Sequence, residues 1–157
     1  MSAARSMTLH ELLAGQVTSL PAIDPVVRGM SADSRALKKD DVFVALSGAT
    51  THGLKFAKHA QDMGVAAVLF ETPAPEAFVE STNTIAVTDL RKKCGVLANR
   101  FFDKPSEQLE VLGVTGTNGK TSTVQLIAQA LSLGGETAGT IGTLGVGLYG
   151  KLVEGQR

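Results

Sequence analysis

The sequence is short of residues that several classes of protein require. Its 157 residues contain one cysteine, Cys94, which excludes an internal disulfide and a zinc site built from cysteines. Tryptophan is absent and aromatic residues make up only 4%, which argues against stacking platforms for single-stranded nucleic acid. Lysine plus arginine and aspartate plus glutamate both number 15, and this balance argues against nucleic-acid binding through bulk charge.

Long hydrophobic runs are also missing. No apolar stretch approaches the roughly 20 residues that a membrane span needs. Arg5 is not followed by the apolar segment of a signal peptide. Hydrophobic residues at 43% and charged residues at 19% are typical of a globular protein. These absences favour a soluble protein of the cytoplasm.

Apolar strands alternate with helices through the first two thirds of the chain. Strands are predicted over Val42–Leu46, Val65–Phe70 and Thr84–Val87. Helices are predicted over Leu9–Leu13 after the cap Thr8, over Leu54–Met63, and over Leu90–Phe102 after the cap Asp89. Continuously apolar strands are buried on both faces, so the pattern predicts an α/β fold with a mostly parallel sheet.

A polar, proline-containing stretch, Asp103–Ser106, interrupts this alternation. We therefore predict one domain over residues 1–105 and a second over 106–157. The second is expected to hold a single β-α-β unit, with strands over 109–114 and 137–141 around a helix over 120–133. About 50 residues are too few to close such a core. We interpret the chain as an N-terminal fragment; docking on the first domain and partial disorder are the alternatives.

The most informative stretch is Gly113–Ser122, which follows the predicted strand and opens the predicted helix. Gly116 and Gly119 allow a tight turn and a close approach of backbone to phosphate. Successive N–H groups and the first turn of the helix then form an anion-binding concavity. Lys120 supplies a charge for the β- and γ-phosphates, and the Thr121 hydroxyl suits Mg²⁺. The pattern predicts ATP and Mg²⁺ as cofactors.

The loop departs from the general phosphate-loop pattern, because Val114 stands where that pattern has its first glycine. With this departure, Thr115–Thr121 resembles the ATP loop of the Mur ligases, which add amino acids to the peptidoglycan precursor. Other segments resemble the same family: Asp33–Arg35, Asp41–Gly48, Gly64–Val68 and Arg100–Ser106. The resemblance covers essentially the whole chain.

The resemblance implies a fold, a reaction and binding partners. The chain would hold the UDP-binding N-terminal domain and the first β-α-β of a phosphate-loop ATPase domain. The reaction would be an ATP-dependent ligation that adds a diamino acid, diaminopimelate or lysine, to UDP-N-acetylmuramoyl-L-alanyl-D-glutamate through an acyl phosphate. The chain alone is expected to be inactive, because the carbamylated lysine and further magnesium ligands of the family lie beyond it. No nucleic acid and no membrane insertion are expected.

Residue roles follow from the same resemblance. The residues that would hold ATP are Gly116, Thr117, Asn118, Gly119, Lys120, Thr121 and Ser122, with Lys120 catalytic and Thr121 a metal ligand. The residues that would contact the UDP substrate are Ala32, Ser34, Ala49, Thr50 and Thr51. The alternatives are a Mur ligase that adds D-alanyl-D-alanine and a non-catalytic module that binds a UDP-sugar.

Simpler interpretations of single residues stand beside these. Asp33–Arg35 is also typical of an ordinary turn with a capping aspartate. His52 is interpreted as a surface-loop histidine, Cys94 as a packed small hydrophobe, and Lys92 with Lys93 as a solvated helix face. The glycines of 139–150 are typical of a mobile hairpin, and a loop near the sugar diphosphate is the alternative.

Overall fold

The computed structural model describes residues 5–76, 78–79 and 81–153. The chain divides into two compact units, Met1–Leu109 and Glu110–Arg157. The assignment of domains to 1–105 and 106–157 stays a prediction, and its ends at 1–4 and 154–157 lie outside the described residues.

The first unit is built on a parallel sheet. A short antiparallel ladder of β1 (Met7–Thr8) and β2 (Val26–Val27) precedes it. The sheet then contains β3 (Gly29–Ser31), β4 (Asp41–Ala45), β5 (Ala67–Glu71) and β6 (Thr84–Val87), paired side by side in chain order. The three predicted strands and their parallel arrangement are confirmed.

Helices connect and cover these strands. They are α1 (Leu9–Leu13), α2 (Ala57–Asp62) after a 3-10 turn at Gly53–Phe56, and α3 (Leu90–Phe101); a second 3-10 turn spans Pro105–Glu107. The predicted cap Thr8 is confirmed, and the structure shows that it forms a reciprocal capping box with Glu11. The predicted cap of α3 is wrong. Asp89 adopts a left-handed backbone with φ +54°. Its carboxylate accepts a hydrogen bond from the Lys92 ammonium group and, within the described residues, none from a helix N–H.

The sheet is buried on both faces, as its continuous apolar strands predict. Side chains alternate across a strand, so Val42 and Val44 of β4 pack in one cluster while Phe43 and Ala45 pack in the other. The first cluster includes the inward faces of α1 and α3, and the second includes that of α2. Burying each large apolar side chain contributes about 1.5–3 kcal/mol.

Arg100 joins the end of this unit to its beginning. Its Nη1 atom donates to the carbonyls of Leu12 at 2.7 Å and Ala14 at 2.8 Å. These carbonyls belong to the carboxyl end of α1, where helix carbonyls have no partner within the helix. The contact therefore fastens α3 to α1 across more than 80 residues of chain.

The second unit consists of one helix and a small antiparallel sheet. The elements are α4 (Lys120–Leu133), β7 (Gly139–Gly142), β8 (Gly145–Leu148) and β9 (Lys151–Val153). The predicted bounds of α4 are confirmed, and Gly134 caps it. None of the helices in the described parts of the chain is long and apolar enough to cross a membrane.

The predicted β-α-β unit is wrong in two respects. Residues 109–114, all of them described, form no strand, and Leu109, Val111 and Leu112 are exposed. The strand predicted over 137–141 forms as β7, but it pairs antiparallel with β8. A strand needs a partner for its backbone groups, and the described residues provide none for 109–114. An apolar pattern alone does not reveal whether a partner is present.

Candidate functional site

The phosphate loop has the backbone that its glycines predict. Gly116 has φ +145° and Gly119 has φ +76°, and both values lie in the region that favours glycine. Gly119 is also the residue from which α4 begins. The N–H groups of the first turn of α4 have no partner within the helix, so they are available to an anion. All seven predicted residues, 116–122, are brought together here and are exposed.

Lys120 lies over the loop that precedes it. Its Nζ atom donates to the carbonyls of Gly116 at 2.5 Å and Thr117 at 3.2 Å. The ammonium group is therefore held at the mouth of the loop, beside the backbone that would surround a phosphate. A lysine at this place acts as a point charge on a flexible stem, which suits it to phosphate oxygens.

Thr121, in the first turn of α4, lies beside the turn between β7 and β8. Its Oγ1 atom is 3.0 Å from Oγ1 of Thr143. A pocket of about 170 Å³ adjoins this contact. The pocket is lined by Val114, Lys120, Thr121, Val124, Gln125 and residues 140–145.

No group of three or more histidine, cysteine, aspartate or glutamate side chains converges to hold a metal within the described residues. The Thr121 hydroxyl still fits Mg²⁺, because Mg²⁺ in nucleotide sites takes one or two protein oxygens and completes its shell with phosphates and water. This geometry is compatible with the magnesium role that the resemblance implies for Thr121.

The predicted substrate residues share one edge of the parallel sheet. Ala32 and Ser34 follow the end of β3, and residues 49–51 follow the end of the neighbouring β4. In open α/β sheets the carboxyl ends of the strands form the ligand-binding edge. The two predicted substrate segments, residues 32–34 and 49–51, therefore lie at the same edge of the sheet, after adjacent strands.

Asp33 and Arg35 form a local pair between the two predicted residues after β3. The Asp33 carboxylate accepts from Nε of Arg35 at 2.9 Å and from Nη2 at 2.8 Å. It also accepts from the Arg35 backbone N–H at 3.0 Å, which closes a turn. The hydrogen bond from the Arg35 side chain lowers the pKa of Asp33 to about 2. The turn interpretation of this motif is confirmed, and the pair fixes the backbone that carries Ser34.

The loop after β4 is a tight hairpin. Ser47 and His52 form an antiparallel bridge, and the Gly48 N–H donates to the Thr51 carbonyl at 2.9 Å. A Cβ atom on Gly53 would lie 2.8 Å from the Ala45 Cα, so the chain returns against β4 only because residue 53 is glycine. Ala49, Thr50 and Thr51 are thus presented at an exposed tip on a fixed base.

The interpretation of His52 as a surface-loop residue is wrong. Its Nδ1 atom accepts from the Leu54 N–H at 3.1 Å, so Nε2 carries the proton of the neutral ring. Nε2 donates to the Glu71 carbonyl at 2.8 Å, at the end of β5. His52 therefore caps the 3-10 turn and ties the base of the hairpin to the next strand.

Glu71 and Arg91 also hold the base of the hairpin, and we call these contacts together with those of His52 the His52 anchor. One Glu71 carboxylate oxygen accepts from the Ser47 N–H at 3.0 Å and lies 3.8 Å from Nη2 of Arg91. The same guanidinium donates to the Ser47 carbonyl. Sequence reasoning missed these residues. The available signal was a charged residue, Glu71, directly after a continuously apolar strand.

Lys93 and Cys94 lie on the sheet side of α3. Lys93 is half-buried and donates to the Gln16 carbonyl at 2.7 Å, so its assignment to a solvated face is wrong, whereas Lys92 is exposed. Lys93 lines a polar recess of about 270 Å³ with residues 15–18, Ala86 and Thr88. Cys94 packs against the core, and burial raises the pKa of its thiol, which confirms the packed-hydrophobe interpretation.

Two family models match this chain in succession. The model described as "Mur ligase family, catalytic domain" matches residues 26–102, and the "Mur ligase middle domain" matches residues 114–153. The chain belongs to the Mur ligase family. The first match spans the parallel sheet with its carboxyl edge, and the second spans the phosphate loop, α4 and the small sheet.

Curated Mur ligases are similar to nearly all of the chain. The UDP-N-acetylmuramoyl-L-alanyl-D-glutamate–2,6-diaminopimelate ligase of Xanthomonas campestris pv. campestris is 52% identical over 95% of this chain and 30% of its own length. The enzyme of the same name from Pseudomonas putida is 42% identical over 85% of this chain and 27% of its own length. The chain thus spans about a third of the relatives that it matches.

Solved Mur ligase structures share the fold. A UDP-N-acetylmuramoyl-L-alanyl-D-glutamate–2,6-diaminopimelate ligase aligns with a TM-score of 0.69 at 28% identity, over 94% of this chain and 30% of that one. The MurF ligase of Thermotoga maritima, in complex with ADP, aligns with a TM-score of 0.52 at 26% identity, over 68% and 24%. The predicted family and its α/β fold are confirmed.

Proposed function

We propose that this chain supplies the UDP-substrate-binding domain, residues 1–105, and the opening of the ATP-binding domain, residues 106–157, of a Mur ligase. The activity is that of UDP-N-acetylmuramoyl-tripeptide synthetase, an ATP-dependent amide ligase of peptidoglycan precursor synthesis in the cytoplasm. The observation that carries the proposal is the loop 116–122 at the start of α4. The names of the curated relatives support the choice within the family.

The chain's own residues would serve the first half of the reaction. The γ-phosphate passes from ATP to the D-glutamate carboxylate, and the amine of the incoming diamino acid then displaces phosphate from the acyl phosphate, leaving an amide, ADP and phosphate. Backbone N–H groups of 116–122 hold the phosphates. Lys120 turns from the loop carbonyls toward the β- and γ-oxygens and offsets their charge during transfer.

Mg²⁺ would be held on the protein side by the Thr121 hydroxyl. When bound, it would supply positive charge to offset the negative charge that develops on the phosphate oxygens during transfer. The hydroxyl is exposed at the first turn of α4, where phosphates bound by the loop would be within reach. This role requires no carboxylate cluster in the described residues.

The UDP end of the substrate would bind at the carboxyl edge of the parallel sheet. The Ser34 hydroxyl and the hydroxyls of Thr50 and Thr51 would contact the uracil edge or the diphosphate. Ala32 and Ala49 have no polar side-chain atom, so they would act through their backbone groups. The Asp33–Arg35 pair and the His52 anchor hold these segments at the edge.

The diamino acid is proposed to be 2,6-diaminopimelate, because the relatives reported above carry that name. Those relatives are about three times as long as this chain, so we propose that the 157 residues alone bind ligands but form no amide. Amide product from the purified chain would contradict the second half of this statement.

Nucleotide binding tests the proposal directly. We expect Lys120→Ala in the full chain to weaken binding of a fluorescent ATP analogue in Mg²⁺ by about tenfold to a hundredfold, since a hydrogen bond to a charged group contributes about 1.5–3 kcal/mol. Lys151→Ala, which removes an exposed lysine from β9, is the control and should bind as the parent does. Equal affinity of Lys120→Ala and the parent would refute the proposed ATP site.

A further inference from the structure

Thr143 stands beside the predicted metal ligand but belongs to a different element. It occupies the two-residue turn between β7 and β8, whose flanking residues Gly142 and Gly145 are paired. Its Oγ1 atom lies 3.0 Å from Oγ1 of Thr121, on the first turn of α4. The turn is therefore not a free hairpin tip: one of its two central side chains is in contact with the phosphate-loop helix.

A second contact holds the strand that leads into this turn. Nε2 of Gln125 lies 3.5 Å from Oγ1 of Thr140, which is 6% exposed. Thr121 and Gln125 are four residues apart, so they lie on the same face of α4. Strand β7 and the turn that follows it thus run along the face of α4 that bears the predicted metal ligand.

The hydroxyl of Thr121 has one proton and two acceptor lone pairs. An oxygen that binds a cation must direct a lone pair to it and its proton elsewhere. In the described residues the hydrogen-bond partner of the Thr121 side chain is the Thr143 hydroxyl. Thr143 is thus placed to accept this proton.

We propose that Thr143 is a positioning residue, which accepts the Thr121 hydroxyl proton and thereby aims an oxygen lone pair of Thr121 at the Mg²⁺ that accompanies the nucleotide. The inference rests on the proposed function of the loop. It assigns the β7–β8 turn a role in ordering a metal ligand, without direct contact between Thr143 and the nucleotide. Partners that orient a ligand in this way typically change metal affinity by 10- to 100-fold.

The energetics separate this role from simple support of the fold. Thr121 and Thr143 are both exposed, so water replaces their mutual hydrogen bond when one hydroxyl is removed. Thr143→Val keeps the shape and the β-branch of the side chain. We therefore expect this variant to fold as the parent does and to lower metal affinity by about tenfold, the lower end of the 10- to 100-fold range.

The test compares nucleotide affinity with and without the metal. The full chain and its variants Thr143→Val and Thr143→Ser are titrated with a fluorescent ATP analogue, once in Mg²⁺ and once in EDTA. We expect Thr143→Val to lose about tenfold in affinity in Mg²⁺ and nothing in EDTA, whereas Thr143→Ser retains the parent affinity in both. Thr123→Val, which removes an exposed hydroxyl from the same helix, is the control and should match the parent.

Each outcome of the titrations either supports or overturns the inference. A Mg²⁺-specific loss in Thr143→Val with rescue by serine supports the inference. Unchanged affinity in Mg²⁺, or an equal loss in EDTA, overturns it while the nucleotide site itself stands. A parent chain without Mg²⁺-dependent binding overturns the proposed function and the inference together. If melting shows that Thr143→Val is misfolded, Thr143→Ala repeats the comparison with no β-branch to pack.

Discussion

The anchor of the substrate hairpin can be tested at His52, because two substitutions separate its two hydrogen bonds. His52→Ala removes both the bond to the Leu54 N–H and the bond to the Glu71 carbonyl. His52→Asn keeps an acceptor for the Leu54 N–H, because asparagine is a good helix cap. Its side chain is too short to span the distance to Glu71.

The magnitudes follow from these bonds. Each contributes about 1 kcal/mol, and in the alanine variant the N–H of the buried Leu54 is left without its partner, which adds about 1–2 kcal/mol. We expect His52→Ala to lower the free energy of unfolding by about 3 kcal/mol and His52→Asn to lower it by about 1 kcal/mol. For a domain of this size each kcal/mol lowers the melting temperature by about 4–8 °C.

Thermal and urea unfolding, followed by circular dichroism, measure both variants. His59→Ala is the control, because His59 is an exposed histidine on α2 and should leave the melting temperature unchanged. The reasoning is refuted if His52→Ala melts with the parent. Equal losses in the alanine and asparagine variants would show that the cap contributes nothing separable from the contact with Glu71.

Two further predictions concern titrating groups. Arg35→Ala should return the pKa of Asp33 from about 2 toward the ordinary aspartate value of 3.8, as carboxyl-carbon NMR would show. The pKa of Asp33 is lower in the folded chain than in the unfolded chain, so the pair stabilises the fold above about pH 4 and this stabilisation is lost as the pH falls toward 2. Salt should reduce the stabilisation by the pair. Burial raises the pKa of Cys94, so in the native chain its thiol should react with iodoacetamide near pH 8 more slowly than free cysteine does. In urea, where the chain is unfolded, the thiol should react at the rate of free cysteine. A fast reaction in the native chain would contradict that burial.

Local patterns were sufficient for most of the first unit. Thr8 with Glu11 is a capping box within four residues, and the strand at Thr84–Val87 has the bounds that its apolar run predicts. Such features depend on residues close in sequence. The same holds for the loop at 116–122, whose glycines have the positive φ angles that the turn requires.

The predictions that fail are those in which the structure depends on contacts between residues far apart in sequence. Residues 109–114 have the composition of a strand, but strand formation depends on a pairing partner that composition does not encode. His52 resembles a loop histidine until Glu71, 19 residues later, is placed beside it. Thr143 likewise acquires its contact with Thr121 only because β7 runs along α4. None of these contacts has a short-range signal.

The order of strands in the parallel sheet has a consequence for how the chain folds as it leaves the ribosome. Each strand from β4 to β6 pairs with the strand synthesised just before it, so every pairing step closes a short loop as soon as the next strand emerges. Arg100 departs from this order, because it donates to the carbonyls of residues 12 and 14. Synthesis of α3 therefore completes the unit. The carboxyl end of α1 forms its hydrogen bonds with Arg100 only after some 80 further residues have been translated.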